Sequence, residues 1–477
     1  MNLPARSALP MNFLQKTILR YTPVFLQNVG LSIRGYQVHR SRHTPYFHRR
    51  LAELNDTATV PIERLYEIQR ERLLTRVEWA RRYVPRYRDI PPPSTKKDPL
   101  EAIRETLDSV PPLEKNAYAK DPYGFLGTDR SRARLIKNHS SGTTGTALDF
   151  WHTREALAEE YATVWRMYHR HGISLRDPRI SFGGNVIVPF SVNSPPFWRT
   201  NYYGAQTLFS TYHMKPENLG SYVSAIHRMR GRWVQGYPSS LYLMARALLD
   251  SGRPLPRGRL AGVFSSSERL LAFHREAIEA AFNAPLIDRY GTSEFAVSMT
   301  SCEENRLHVD MEFGIVEVEP IESGEESVRG SLLVTGLAPD AIPFFRYRIG
   351  DIGTRCNHPC PCGRPGETFF DVEGREDDFV MTPDGRLVGR LDHIFKGQTD
   401  IAEAQILQDR KEAIKVFVVP RPRYDKDAEQ RLLRKIRDRL GKEIEIEIAI
   451  VDEIAREPNG KFRAVKSTVG NLHSASA

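Results

Sequence analysis

Residues 62–87, IERLYEIQRERLLTRVEWARRYVPRY, set Leu65, Ile68, Leu73, Leu74, Val77 and Ala80 at mixed spacings of three and four, which predicts an amphipathic helix. Val84-Pro85 ends it, because proline has no amide hydrogen to donate and disfavours a helical residue before it. A connector with Pro91, Pro92 and Pro93 follows. Short β-rich runs at 179–183, 233–236, 260–265 and 285–290 then alternate with helical patterns at 155–170, 239–250 and 271–282. Strand and helix in alternation predict an α/β body with a largely parallel sheet. After Ser293 the texture changes. HVDMEFGIVEVEP and GSLLVTGL alternate with near period two and no long helix intervenes, which predicts an antiparallel β-rich part over 295–373. A charged, glycine-containing crossing at 374–389 leads to a helix at 426–439 and a strand at 443–451. The expected division is a basic helical arm (1–95), a large domain (96–373) and a small α+β C-terminal domain (374–477).

The arm changes the picture through its charge. Of 68 Lys and Arg against 59 Asp and Glu, eight bases fall within the first 50 residues (Arg6, Lys16, Arg20, Arg34, Arg40, Arg42, Arg49, Arg50) and no acid does. The rest of the chain is nearly neutral, so a nucleic-acid partner is not expected: counterion release needs cations along a whole contact track. Residues 11–38 carry Phe13, Ile18, Leu19, Val24, Phe25, Leu26, Val29 and Leu31, interrupted by Pro23 and Gly30, and read as one or two short amphipathic helices. Three uses fit the pattern: a helix lying on an anionic membrane surface, an organellar transit segment, or an arm docked on the body. No window reaches the ~18–20 continuous apolar residues of a membrane span, and no secretory signal is evident. Four cysteines are too few for a disulfide framework. A cytoplasmic protein is expected, with peripheral contact to the inner face of a membrane through residues 1–50.

Five segments carry chemistry. Ser140, Ser141, Gly142, Thr143, Thr144, Gly145 and Thr146 form a run of hydroxyls and glycines able to turn donors onto anionic oxygens, though without the lysine of a Walker loop. Asp288-Arg289-Tyr290-Gly291-Thr292-Ser293-Glu294 offers an aromatic ring, a close-approach glycine and a carboxylate fit for Mg2+. Asp351 closes Phe345-Arg346-Tyr347-Arg348-Ile349-Gly350-Asp351, where its carboxylate could accept from two ribose hydroxyls. The last two are Gly374-Arg375-Glu376-Asp377-Asp378 and Asn459-Gly460-Lys461-Phe462-Arg463.

In this order and spacing the five resemble the adenylate-forming superfamily of acyl-CoA synthetases, peptide-synthetase adenylation domains and luciferases. Within it the chain is most similar to phenylacetate-CoA ligases and their capsule-polysaccharide relatives, through Gly236-Tyr237-Pro238-Ser239-Ser240, Cys360-Pro361-Cys362-Gly363-Arg364 and Ala404-Gln405-Ile406-Leu407-Gln408. The resemblance implies that the loop from Ser140 to Thr146, with Thr143 catalytic, binds the β and γ phosphates of ATP. Tyr290 beside Gly291 stacks on adenine, Thr292 and Glu294 serve the α-phosphate and Mg2+, and Asp351 holds the ribose. Arg375 touches the nucleotide, Asp377 is the hinge of a mobile C-terminal domain, and Lys461 reaches the α-phosphate. In Phe264-Ser265-Ser266-Ser267-Glu268 a serine stands where the family's pattern has glycine before the glutamate, which bears on the nucleotide contact of Glu268.

Cys302, His308, Cys360 and Cys362, with Cys356 as substitute, suit a structural tetrahedral Zn2+; free cysteines in a reduced interior are the alternative. The function implied is an ATP-dependent ligase that forms acyl-AMP and passes the acyl group to CoA, an amine or a hydroxyl, in polysaccharide or secondary-metabolite biosynthesis. Its partners would be a small carboxylic acid and an acceptor, and the protein a monomer or homodimer. A non-catalytic nucleotide-binding relative is the alternative.

Overall fold

The computed structural model describes residues 22–139, 148–184, 186–268, 270, 272–372, 380–388, 391, 394, 400–452, 454, 465–467 and 469. Two of its helices begin where the sequence supplies both a cap and a fixed φ. Thr44 accepts from the Phe47 amide ahead of Pro45, and Asp98 accepts from Glu101 ahead of Pro99. Helix Ile62–Tyr83 stops at Val84, whose backbone is already extended before Pro85. Its buried face differs in part from the apolar count: Gln69 and Arg76 are buried while Ile68 and Leu74 stay half-exposed. The reason is hydrogen bonding, for Gln69 Nε2 donates to the Gly314 carbonyl and Arg76 Nη2 to that of Asp340.

The first described helix, Val24–Arg42, runs unbroken through Gly30. Pro23 sits at its N-cap, where a missing amide hydrogen costs nothing, and so starts this helix.

Strands β1 (Ile136–His139) and β2 (Asp149–His152) form an antiparallel pair. The body is built on β3 (Arg179–Gly183), β4 (Trp198–Asn201), β5 (Gln206–Ser210), β6 (Trp233–Gly236), β7 (Gly262–Ser266) and β8 (Leu286–Gly291). It continues through β9 (Ser298–Ser301), β10 (Leu307–Val309), β11 (Gly314–Ser323), β12 (Ser327–Gly336), β13 (Tyr347–Cys356) and β14 (Thr368–Val372). All twelve join one sheet in the order β11-β12-β13-β14-β10-β9-β8-β7-β6-β3-β5-β4. The parallel and antiparallel parts are therefore continuous, with the change at β8, parallel to β7 and antiparallel to β9.

Helices Pro216–Arg228, Pro238–Asp250 and Ala272–Phe282 cover one face of the parallel half, and Pro45–Asp56 and Arg154–Arg170 the other. Helix Ile62–Tyr83 shares a core with the antiparallel half. HVDMEF does not stay a strand as period two predicts: β10 ends at Val309, the Phe313 amide turns back to the Asp310 carbonyl, and Asp310 and Glu312 are buried. Beyond β15 (Val380–Met381) and β16 (Leu387–Val388), strands β17 (Ile401–Arg410), β18 (Ala413–Pro420), β19 (Glu445–Ile450) and β20 (Val465–Ser467) pair in the order β19-β18-β17-β20. Helix Lys426–Leu440 packs on this small sheet and ends at Gly441, whose φ of 98° only glycine adopts without strain. Arg386, held by Asp384 and the Leu440 carbonyl, also donates to the Tyr212 carbonyl at 3.1 Å and so ties the small domain to the body.

Candidate active site

Parallel strands leave their carboxyl ends on one edge of the sheet, and the chain reverses its strand order at β3, which has β5 on one side and β6 on the other. A crevice opens at such a switch point. Here it is lined by Ser181, Phe182, Gln206, Leu208, Gln235 and Tyr237. The polar floor is organised, because Ser181 Oγ accepts from Gln206 Nε2 at 2.8 Å and from Gln235 Nε2 at 3.0 Å.

The neighbouring strands deliver the titratable groups. Ser266 of β7 lies opposite Arg289 of β8, so Ser267 and Glu268 leave the sheet beside Tyr290 and Gly291. Ser267 has φ 73°, the left-handed backbone that favours glycine, so the serine substitution noted above keeps a glycine-like path. Tyr290 donates to Asp351 Oδ2 at 2.6 Å, bringing two expected nucleotide-binding residues from β8 and β13 together.

Glu294 follows in a buried loop. Burial raises its carboxyl to about 7; its own amide and the Thr292 hydroxyl pull downward, while the Asp351 charge pushes the same way as burial. Among the described residues no Lys or Arg pairs with it. A desolvated carboxylate next to a second carboxylate is the donor set that a hard cation completes, so Glu294 and Asp351 fit the edge of a Mg2+-nucleotide site.

The loop is held from below by residues that sequence reading missed. His152, at the end of β2, has Nδ1 2.5 Å from Asp340 Oδ2 and Nε2 3.0 Å from the Ser293 carbonyl. Asp340 Oδ1 in turn accepts from the amides of Thr153 and Ala341. Phe295 stacks on the His152 ring with centroids 4.1 Å apart and has φ 54°, unusual for a bulky residue. A lone histidine in the strand Asp149–His152 has no local signature of this role. Beneath lies a buried ionic network: Arg289 bonds Glu160 and Ser298, Ser298 donates to Asp310, and Arg166 donates to Asp310 at 2.5 Å and to Glu312 at 2.6 Å. Burial alone would raise Glu312, but Arg166 and the Thr57 hydroxyl hold it at about 2.

His213 meets Ser210 and the Pro189 carbonyl and is a satisfied core residue. The side chain of His139 lies outside the described residues, as do Ser140, Ser141, Gly142, Thr143, Thr144, Gly145, Thr146, Arg375, Asp377 and Lys461. Among the aromatic residues near β3 to β5, Phe182 and Phe197 are in the core, while Phe190, Tyr202 and Tyr203 are exposed.

A second cluster lies apart from the crevice. The β9–β10 hairpin presents Cys302 and His308, and the loop between β13 and β14 presents Cys360 and Cys362. Their ligand atoms lie within 4.8 Å of one another, with Cys302 Sγ 3.6 Å from Cys360 Sγ and Cys362 Sγ 3.3 Å from His308 Nε2. Thiolates on one tetrahedral Zn2+ stand about 3.7 Å apart, so the spacing fits. His308 Nδ1 faces the Pro365 carbonyl at 3.4 Å, which leaves Nε2 as the ligand atom, and burial lowers the ring to about 4, keeping it neutral. Cys356 lies outside this group of four.

Comparison with known proteins places these features in context. Residues 380–468 match the CapK C-terminal domain family. The chain is 26% identical over 457 residues to Protein CapK of Staphylococcus aureus, covering 94% of this chain and 98% of that protein. It is 23% identical over 458 residues to a phenylacetate-coenzyme A ligase of Thermus thermophilus, covering 85% and 97%. Among solved structures, 2-hydroxyisobutyryl-CoA ligase in complex with 2-HIB-AMP and CoA superposes with a TM-score of 0.54 at 18% identity, covering 86% of this chain and 91% of that one, which shows a shared fold.

Proposed function

We propose, from the premise that the chain is a relative of the adenylate-forming ligases of the CapK and phenylacetate-CoA ligase group, that it activates a carboxylic acid as acyl-AMP and transfers the acyl group to an acceptor. The observation that carries this reading is Glu294, buried without a described Lys or Arg partner, beside Asp351 and Tyr290 at the carboxyl edge of the sheet. In the first half-reaction a substrate carboxylate oxygen attacks the α-phosphorus of ATP and the bond to pyrophosphate breaks. In the second, a thiol, amine or hydroxyl attacks the acyl carbon and AMP leaves.

Two anions meet in the first step, so positive charge must offset their repulsion. The reading assigns Lys461 to the α-phosphate, the loop of Ser140 to Thr146 to the β and γ phosphates, Arg375 and Glu268 to the nucleotide, Thr292 to the α-phosphate and Asp351 to the ribose. Glu294 would hold Mg2+, which neutralises the triphosphate. Asp377 would be the hinge about which the C-terminal domain exchanges the two half-reactions. The acyl group would occupy the crevice above Ser181, whose hydroxyl, already accepting from Gln206 and Gln235, keeps its own proton to donate. Such a floor suits an acid with a polar substituent, a hydroxy or sugar acid before a plain fatty acid. CoA is the first acceptor to test, followed by a sugar amine or hydroxyl of the kind polysaccharide assembly would supply.

ATP-pyrophosphate exchange with aryl, fatty, hydroxy and uronic acids tests the reading. Exchange with one class, abolished in Lys461→Ala, is the expected result; ATP binding without exchange for any acid would reduce the site to nucleotide binding. The Cys302, His308, Cys360, Cys362 cluster is assigned a structural Zn2+. Elemental analysis should find one zinc per chain, lost in Cys360→Ser, and zinc-free purified protein would sink the assignment.

A further inference from the structure

Helix Val24–Arg42 docks on the body through polar side chains and leaves large apolar ones in water. Three of its polar side chains face the protein: Gln27 Oε1 accepts from Arg199, Asn28 Oδ1 from the Thr200 amide at 3.0 Å, and Ser32 Oγ from the Tyr202 amide at 2.9 Å. These contacts cover β4, the edge strand of the sheet, by satisfying amides that an open edge would leave exposed. Five large apolar side chains face away, while Val24, Leu31 and Val38 are half-buried. Phe25, Val29, Ile33 and Tyr36 recur at spacings of four, four and three, which places them on one stripe, and Leu26 flanks it. Phe25 is 64% and Ile33 57% exposed. Tyr202 and Tyr203, from the β4–β5 turn, extend the patch, with the Tyr203 ring 5.1 Å from Tyr36.

The charges around the stripe have one sign. The first acid in the chain, Glu53, pairs with Arg49 and Arg50 on the next helix, while Arg34 and Arg40 of this helix are exposed. A second copy packed through the same face would set these arginines against one another with no carboxylate to meet them. An anionic bilayer satisfies both halves of the surface. Phe25, Val29 and Ile33 can leave water for the acyl boundary, tyrosines suit the headgroup layer, and the arginines reach lipid phosphates.

We infer that Val24–Arg42 is an interfacial helix that seats this protein in the plane of an anionic lipid membrane. No described helix is long and apolar enough to cross one, so the contact is with a single leaflet. It would place the acyl-transfer chemistry beside substrates or acceptors that carry lipid.

Flotation of the full-length protein with vesicles of phosphatidylcholine alone, or mixed with phosphatidylglycerol, tests this. Binding is expected to the mixed vesicles only, and to weaken with added salt as surface charge is screened. The double variant Phe25→Ser, Ile33→Ser should lower it by about tenfold or more, since each side chain forfeits its burial. Arg34→Gln with Arg40→Gln should lower it on mixed vesicles, and an unchanged thermal melt would show that these variants stay folded. Equal binding to both vesicle types, or variants that bind like wild type, would overturn the inference. So would a wild-type dimer that becomes monomeric in Phe25→Ser, Ile33→Ser, which would make the face a subunit interface, and so would lipid binding that appears only after removal of residues 1–21.

Discussion

Glu294 and Glu312 lie eighteen residues apart in sequence, and both are buried, yet their carboxyls move in opposite directions from the ordinary 4.5: one rises to about 7 and the other falls to about 2. Burial acts upward on each. The difference is the partner: Arg166 reaches Glu312 at 2.6 Å, whereas no described Lys or Arg pairs with Glu294. Backbone geometry divides the same way. Ser267 beside the crevice and Phe295 under the Glu294 loop have left-handed backbones, and none of the ionic-network residues does. The contrast separates a scaffold, where charge and geometry are satisfied, from a site edge held ready for a charged ligand.

Breaking the scaffold should have the largest effect. Arg166→Met leaves Asp310 and Glu312 buried without their cation and should cost about 3–5 kcal/mol in urea unfolding. Wild-type stability should also fall with acid. The lowered carboxyl of Glu312 contributes fully above its ordinary value of 4.5, and that contribution is lost as pH drops through about 2. Resistance of Arg166→Met to urea equal to wild type would show that the network does not hold the fold.

On the site side the sign reverses. Because the folded value of Glu294 is raised, its contribution is fully present below 4.5 and is lost as pH rises through about 7. Glu294→Gln should therefore stabilise the ligand-free protein above pH 7 by about 3 kcal/mol, while removing pyrophosphate exchange. A melting temperature at pH 8 that is unchanged or lowered would contradict the reading of Glu294 as an uncompensated charge. The smallest effect is at Ser267. Left-handed strain of 1–2 kcal/mol, less 0.4–1 for the extra freedom of an unfolded glycine, leaves Ser267→Gly a gain of about 1 kcal/mol in the same urea assay. Destabilisation would mean that the serine hydroxyl matters more than the backbone.

Much of the architecture was legible because it rests on local rules. The strand at Arg179–Gly183 and the one at Trp233–Gly236 are where their apolar runs place them, and Val84-Pro85 stops the helix before it. Two readings failed for one shared reason. Period two made strand of HVDMEF, but Asp310 and Glu312 turn inward to Arg166, and Gly30, read as an interruption, lies within one helix whose Gln27, Asn28 and Ser32 bind β4. Distant partners outweighed local pattern in both cases.

The sequence alone determined the order of elements, the resemblance that orders the motifs around Tyr290, Glu294 and Asp351, and the four residues of the Cys/His cluster, since periodicity, caps and spacing are properties of neighbours along the chain. Only the tertiary structure decided that Tyr290 meets Asp351, that His152 supports the loop of Glu294, that Arg166 neutralises Glu312, and that the arm turns its apolar side outward. Each of these depends on which groups a fold brings together and removes from water, and that proximity sets charge and exposure independently of separation in sequence.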